Sequence, residues 1–559
     1  MKKNLKLSLL MLSVFAFTAP LASCKKNEDD RIAVTWWNNY VAPTSGTDEE
    51  NRKNASYNEY YFAKDVIDQF EKDHPNIRVD MVYKGKYNEI ANEIKDGIST
   101  GNIPSLASGY ADNTAVYANQ GVALDVSSFI DSPKFGFGKK GNSNATYYEN
   151  DSADNYVEDT TTAKADFSSS FLEIEKGMYT GGKLYSMPYS KSSEALYLNK
   201  DMMDKVGAGK CGTTTAGGKN TNLTYKAPQA AATKKKYVLD ANSDDTVSFL
   251  ELIDVARKAK ADFPSIFNDS GKYDDDSHDG GGTDQEGYKY ACPIVYDSAE
   301  NLFITACEAL GVPYLNANGA DAASQVLFNN ADAKKVVTQL KAWYDEGLIC
   351  TTNQLYYTNK SKGYHQYATQ LLKNGKAIAI ISSTAGARYV ADEGFICEIQ
   401  DNVSYLRSDF GLTGGETTPV KKVISQGPSI SFFKNKDERV ERASFEFYKA
   451  LTNSTNSYKL ASKTSYFPIR VSSNNQIVEE YKEAIKKDNG TYAERQKANT
   501  GKMFNLNVKY NNEKVNYMTQ AFTYSSASRT AVGNLMSSVL KEGVEVETAF
   551  NSAYNTVVK

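Results

Sequence analysis

The sequence predicts an α/β fold divided into at least two domains, and two observations carry that prediction. The first is an opening alternation of strand, helix, strand and helix, punctuated by Pro75 and Pro104. The second is length, because 559 residues exceed what one core of roughly 250–300 residues organises. In order, Ile32-Ala33-Val34-Thr35-Trp36-Trp37 reads as a buried first strand. Tyr61 to His74 places Phe62, Val66, Ile67 and Phe70 at helical spacing, and Pro75 ends that helix. Ile77 to Tyr83 alternates as a second strand, Tyr87 to Ile98 forms a second helix, and Gly101-Asn102-Ile103-Pro104 closes it as a turn. Such alternation favours a mainly parallel sheet with ligands at the carboxyl ends of its strands.

Ahead of the first strand, Lys2, Lys3 and Lys6 precede an apolar run from Leu7 to Phe17, too short to span a membrane permanently. Leu21-Ala22-Ser23-Cys24 then resembles the lipobox of bacterial lipoproteins. That resemblance implies cleavage before Cys24, acylation of its thiol, and stable anchoring by two chains. The alternative is an ordinary signal peptide with an incidental cysteine. The expected organisation is a signal peptide at 1–23, a lipidated cysteine and charged spacer at 24–31, and a first lobe mainly within 32–195. A second lobe follows mainly within 196–400, and 401–559 supplies crossovers and helices to both. Polar stretches at 135–168, 207–236 and 269–287 read as surface insertions.

A net charge of -4 with interspersed lysines removes the basic face that nucleic acid requires. Beyond Cys24, Cys211, Cys292, Cys307, Cys350 and Cys397 have neither CxxC spacing nor an even count, leaving room for one or two disulfides but not a dense framework. Three scattered histidines make a His-based metal or nucleophile site a poor reading. The 38 tyrosines supply aromatic faces suited to sugar C–H surfaces, although most such rings serve as core or surface.

Blocks along the chain together resemble family 1 extracellular solute-binding proteins, the substrate-binding subunits of sugar ABC importers. They are Phe70 to Val79, Tyr83-Lys84-Gly85-Lys86-Tyr87, Gly101 to Pro104, Gly182 to Tyr189, Ala195 to Asp201, Phe249 to Ala259, Gly375 to Ile381 and Tyr466 to Ile469. The resemblance implies a two-lobed periplasmic-binding-protein-like fold of type II with a ligand cleft between hinged lobes. It also implies ABC permease subunits as partners, a carbohydrate or polyol phosphate as ligand, a monomer, no cofactor, and a place on the extracellular face of the cell membrane. Within the family the likeness is nearest to sn-glycerol-3-phosphate-binding proteins. On that basis Tyr87, Ser192, Ser383 and Thr384 of the Ser382-Ser383-Thr384 cluster, Gly427, Tyr466 and Arg529 are expected ligand contacts. Arg529 is the expected anion clamp, because a guanidinium forks onto phosphate. The subfamily's glutamate position is Ala111 here, and the neighbouring Asp112 is the substitute candidate. Trp36, or Trp37 beside it, ends the first strand and is the candidate stacking ring.

Asp240-x-Asn242-x-Asp244-Asp245-Thr246-x-Ser248-x-x-Glu251 spaces oxygen ligands like a calcium loop, although Asp245 stands where glycine is preferred. Ser248 and Glu251 alternatively form a helix capping box. Two further functional classes stay open: a secreted glycan-binding lipoprotein without transport, and a glycan-degrading enzyme, which requires paired carboxylates in one cleft.

Overall fold

The computed structural model describes residues 30–176, 182–206, 214–216, 219–221, 247–267, 291–354, 367–391, 396–486, 491–519 and 521–559. Its framework is two five-stranded sheets. The strands are β1 (Ile32–Asn38), β2 (Ile77–Tyr83), β3 (Leu106–Gly109), β4 (Ser186–Pro188), β5 (Glu194–Asn199), β6 (Ile294–Tyr296), β7 (Ile349–Thr351), β8 (Ala379–Ser383), β9 (Cys397–Gln400) and β10 (Ser429–Phe432). The first sheet runs β2-β1-β3-β10-β4 and the second β7-β6-β8-β5-β9.

Each sheet is parallel over its first three strands and then receives an antiparallel one, β10 against β3 and β5 against β8. The expectation of a mainly parallel sheet is therefore corrected to a mixed one. In both sheets the reversed strand is the one that has just arrived from the other lobe.

The helices used below are α1 (Asn58–Asp73), α2 (Tyr87–Gly97), α3 (Ala111–Asn119), α4 (Phe249–Asp262), α5 (Ala299–Ala309), α6 (Ala331–Asp345), α7 (Glu438–Leu451), α8 (Ser454–Thr464), α9 (Tyr492–Glu513) and α10 (Ser525–Leu540). α1 buries Tyr61, Phe62, Ala63, Val66, Ile67 and Phe70 on one face, the stripe its sequence spacing predicts. Phe70 packs edge-on against Phe447 of α7, and Phe447 packs in turn on Trp36 of β1. Ile90 and Ile94 of α2 cover the opposite face of that sheet with Trp37. In the second lobe α4 brings Phe249 against Trp343 of α6.

The stretch 135–168 is not a surface insertion. Its Tyr147, Tyr156 and Phe167 belong to the core, and the Tyr147 hydroxyl meets His74 Nδ1 at 2.8 Å. Lys449 Nζ of α7 reaches under it to donate to the Phe135 carbonyl at 2.9 Å. Its abundant Gly, Asn, Asp and Thr residues disguise five aromatic side chains that need burial, Phe135, Phe137, Tyr147, Tyr156 and Phe167. The stretches 207–236 and 269–287 lie almost entirely outside the described residues, with 214–216 and 219–221 pairing as a short ribbon.

Two of the chain's passages between the lobes, 189–193 and 425–428, lie side by side. Ser192 N donates to Gln426 O at 2.7 Å, and Gln426 N returns a bond to Ser192 O at 2.8 Å. Gly427 has φ +114°, and a Cβ there would lie 2.6 Å from Ser190 O and 2.8 Å from Lys191 Cα. Only glycine permits that backbone approach. Beneath it, Lys191 Nζ lies 3.0 Å from Glu175 Oε1 and donates to Ser429 Oγ at 2.9 Å, both charged side chains being buried. Among the described residues no helix is long and apolar enough to cross a membrane, and Cys24 falls outside them. Cys292, Cys307, Cys350 and Cys397 are buried, and no disulfide forms among them.

Candidate functional site

The carboxyl ends of the parallel strands converge on the space between the lobes. From the first lobe come Tyr40 after β1, Tyr87 after β2 and Tyr110 after β3; from the second come Asp297, Glu300 and Asn301 after β6 and Arg388 and Tyr389 after β8. Tyr466, after α8, and Arg529, in the first half of α10, complete the set.

Tyrosines dominate it. The Tyr87 and Tyr110 rings meet edge to face with centroids 5.2 Å apart. Burial pushes the Tyr87 phenol well above its ordinary range, reinforced by Tyr466, Tyr110 and Glu59. Burial does the same for Tyr40, with Tyr189 and Tyr87 nearby, and for Tyr466, with Tyr110 and Glu59 nearby. These phenols therefore stay neutral, able both to donate and to accept hydrogen bonds. Tyr367 and Tyr389 add exposed rings from the second lobe, at 58% and 48% exposure.

A charged chain runs beside the rings. Arg529 Nη2 donates to Asn301 Oδ1 at 2.5 Å and lies 3.6 Å from Glu300 Oε1. Asn301 Nδ2 donates to Glu194 Oε1 at 2.6 Å and reaches Gln426 Oε1 at 3.3 Å, tying the site to a crossover. Burial tends to discharge Arg529, but Glu300, Tyr110 and Asp112 outweigh it and hold the guanidinium charged. Burial raises the Asp112 carboxyl, with Arg529 pulling it back down. Burial likewise raises Glu194, to about 7, against bonds from Tyr296 and Asn301. Tyr314 sits within the reach of Arg529 and Asp112, and its buried hydroxyl has no hydrogen-bond partner among the described residues. It also walls a cavity of about 500 Å³ with Gly311, Asn316, Tyr517 and Thr519.

Of the residues expected from sequence, the structure brings Tyr87, Asp112, Tyr466 and Arg529 together. It places the others elsewhere. Trp36 is 0% exposed, donates from Nε1 to Ser108 Oγ at 3.0 Å, and packs edge-on behind Tyr40 and Tyr189. Trp37, pointing to the opposite face as strand alternation requires, is buried with Lys84 Nζ 4.5 Å from a ring centroid. Neither lines the cleft. Ser192 and Gly427 build the crossover pair. Thr384 is buried and fastens the other side of that hinge, its Oγ1 accepting from Ser193 N at 3.0 Å and its N donating to Ser193 O at 2.9 Å. Ser382 donates to Asp297 Oδ2 at 2.7 Å, and Ser383 Oγ caps the following 3₁₀ turn by accepting from Ala385 N. The buried Ser382 and Thr384 hydroxyls are consumed by structure because buried polar groups require partners, and the half-buried Ser383 hydroxyl serves as a cap.

Sequence reasoning missed Tyr40, Tyr110, Glu194, Glu300, Asn301, Tyr314 and Gln426. For Tyr40 and Tyr110 a signal existed, since each stands within two residues of the end of a parallel strand. For Asn301 and Gln426 none did, because their roles come from contacts across more than a hundred residues.

At the possible calcium loop, Ser248 and Glu251 form a reciprocal cap, with Ser248 N donating to Glu251 Oε2 at 2.7 Å and Glu251 N to Ser248 Oγ at 3.2 Å. The acidic run at 240–246 lies outside the described residues. Among those described, no group of three or more His, Cys, Asp or Glu side chains is placed to hold a metal ion.

Two α/β lobes, paired crossovers and a site between opposed strand ends define a two-lobed binding protein with the periplasmic-binding-protein-like fold. The chain belongs to the bacterial extracellular solute-binding protein family, whose model matches residues 65–489. That family consists of substrate-binding proteins rather than enzymes. No curated protein sequence matches the chain. Similar solved structures include the ABC substrate-binding protein Lmo0181 from Listeria monocytogenes in complex with cycloalternan, at 14% identity and TM-score 0.57, covering 94% of this chain and 98% of that one. The GacH receptor of Streptomyces glaucescens, solved unliganded and with acarbose, is 13% identical at TM-score 0.56 over 94% and 98%. UgpB from Mycobacterium tuberculosis in complex with glycerophosphocholine is 13% identical at TM-score 0.55 over 94% and 97%. At this identity the likeness is one of fold.

Proposed function

We propose that this protein is the substrate-binding lipoprotein of an ABC importer, anchored through Cys24, and that it captures a neutral carbohydrate and hands it to a membrane permease. The observation that carries the choice of ligand is the company Arg529 keeps. Its guanidinium is already bonded to Asn301 and faces Glu300 and Asp112. A phosphate entering there meets two carboxylates for one cation, a net repulsion that low local dielectric strengthens. A sugar hydroxyl meets no such cost and finds donors and acceptors in neutral phenols and carboxylates, while the Tyr87, Tyr110 and Tyr466 rings suit its C–H faces. Carbohydrate-bound structural neighbours are consistent with this reading. The competing reading, a phosphorylated polyol, draws on the Arg529 carry-over and on the glycerophosphocholine bound by UgpB.

A thermal-shift screen separates the two, since a ligand that binds only the folded chain raises its melting temperature. Neutral oligosaccharides are expected to raise it, and Tyr87→Ala to reduce that rise. A shift with glycerol 3-phosphate or glycerophosphocholine but with no neutral glycan would overturn the carbohydrate reading.

A further inference from the structure

Arg388 stands in the 3₁₀ turn Thr384–Val390 that follows β8, and its side chain is 6% exposed. Nη1 donates to Lys463 O at 2.5 Å, at the carboxyl end of α8. Nη2 donates to Tyr389 Oη at 2.5 Å, and Nε, buried, has no partner among the described residues. A guanidinium carries five N–H donors, and a buried cation left short of acceptors is costly. Among the described residues its ion-pair partner is Glu59, with Oε1 at 3.9 Å from Nη2, outside hydrogen-bond reach.

Glu59 belongs to the other lobe, in the first turn of α1. The two charges sit where helix ends favour them, an anion at the start of α1 and a cation at the end of α8. The Lys463 carbonyl that holds Arg388 also accepts from Asn58 Nδ2 at 2.9 Å, so the cation, the start of α1 and the end of α8 meet at one oxygen. Elsewhere between the lobes the contact is already made, with Ser526 Oγ 3.1 Å from Asn113 Oδ1 and Asn119 Nδ2 donating to Thr523 Oγ1. The contact between Arg388 and Glu59 lacks about an ångström of approach to become a charge-assisted hydrogen bond. Glu59 also lies within electrostatic reach of Tyr40, Tyr87 and Tyr466, the rings of the site.

We infer that Arg388 and Glu59 form an interlobe latch, an ion pair that completes as the lobes approach and holds the cleft shut over whatever solute it contains. Arg388 is thus a positioning residue for the closed state. The inference rests on the hinge and not on the chemistry of the solute, so it stands or falls separately from the carbohydrate reading.

The test is the interlobe distance distribution in the full chain, measured between spin labels carried on unnatural amino acids at exposed positions 92 and 335, one in each lobe, which leaves native cysteines untouched. Glu59→Gln, which keeps side-chain volume, and Arg388→Lys are each expected to lower the short-distance fraction by about fivefold, the ratio a partly exposed ion pair supplies. The exchange Glu59→Arg with Arg388→Glu is expected to restore it. Thermal melts of each variant confirm that it folds; Glu59→Gln, on the more exposed partner, decides the matter if Arg388 variants do not. An unchanged distribution in Glu59→Gln, or no recovery in the folded exchange variant, overturns the latch.

Discussion

Burial lifts the Glu194 carboxyl to about 7, even though Tyr296 and Asn301 both donate to it. Its value in an unfolded chain is about 4.3. The folded state therefore holds the proton more tightly, and the resulting stability is complete below about pH 4 and lost as pH rises through about 7, on the order of 3 kcal/mol in all. Glu194→Gln removes that dependence. The melting temperature of the variant relative to the parent is expected to climb between pH 5 and pH 8, and calorimetry across that range checks it; a constant difference would show that Glu194 does not titrate there. At this scale the sequence was partly readable. Tyr87, Tyr466, Asp112 and Arg529, the expected contacts, gather around Tyr110. Trp36 misled because a tryptophan at a strand end reads the same whether its ring closes the core or opens to the cleft, and the deciding partner, Ser108, is 72 residues away.

Among the elements, the paired crossovers show where local reading stops. Strand and helix periodicity located β1, α1, β2 and α2 to within a few residues, because burial of one face is written in consecutive side chains. A crossover has no such period. Ser192, Thr384 and Gly427 look like ligand-binding small residues, and their identity as hinge fastenings appears only when 189–193 lies beside 425–428. Gly427→Ala is the sharp check. With φ at +114° and Ser190 O only 2.6 Å from the new Cβ, the alanine is expected to cost about 2–4 kcal/mol in denaturant unfolding. A loss below about 1 kcal/mol would show that the crossovers slide apart freely. The stretch 135–168 illustrates the same limit from the other side, since composition described its loops and overlooked the rings that bind it to α1 and α7.

For the whole molecule, ordered family blocks disclosed the two-lobed plan that the structure displays. They did not disclose that each sheet borrows a strand. In the first lobe β10, from residues 429–432, lies between β3 and β4, which come from residues 106–109 and 186–188. The chain therefore cannot complete its first lobe as it emerges. A fragment ending at residue 400 lacks an internal strand and is expected to remain protease-sensitive, without a cooperative melt, whereas a fold assembled lobe by lobe would leave that fragment resistant. Under the proposed export across a membrane, this order of assembly has a use: the first lobe stays open until more than three quarters of the sequence has emerged, and the last strand to arrive is the one that locks it.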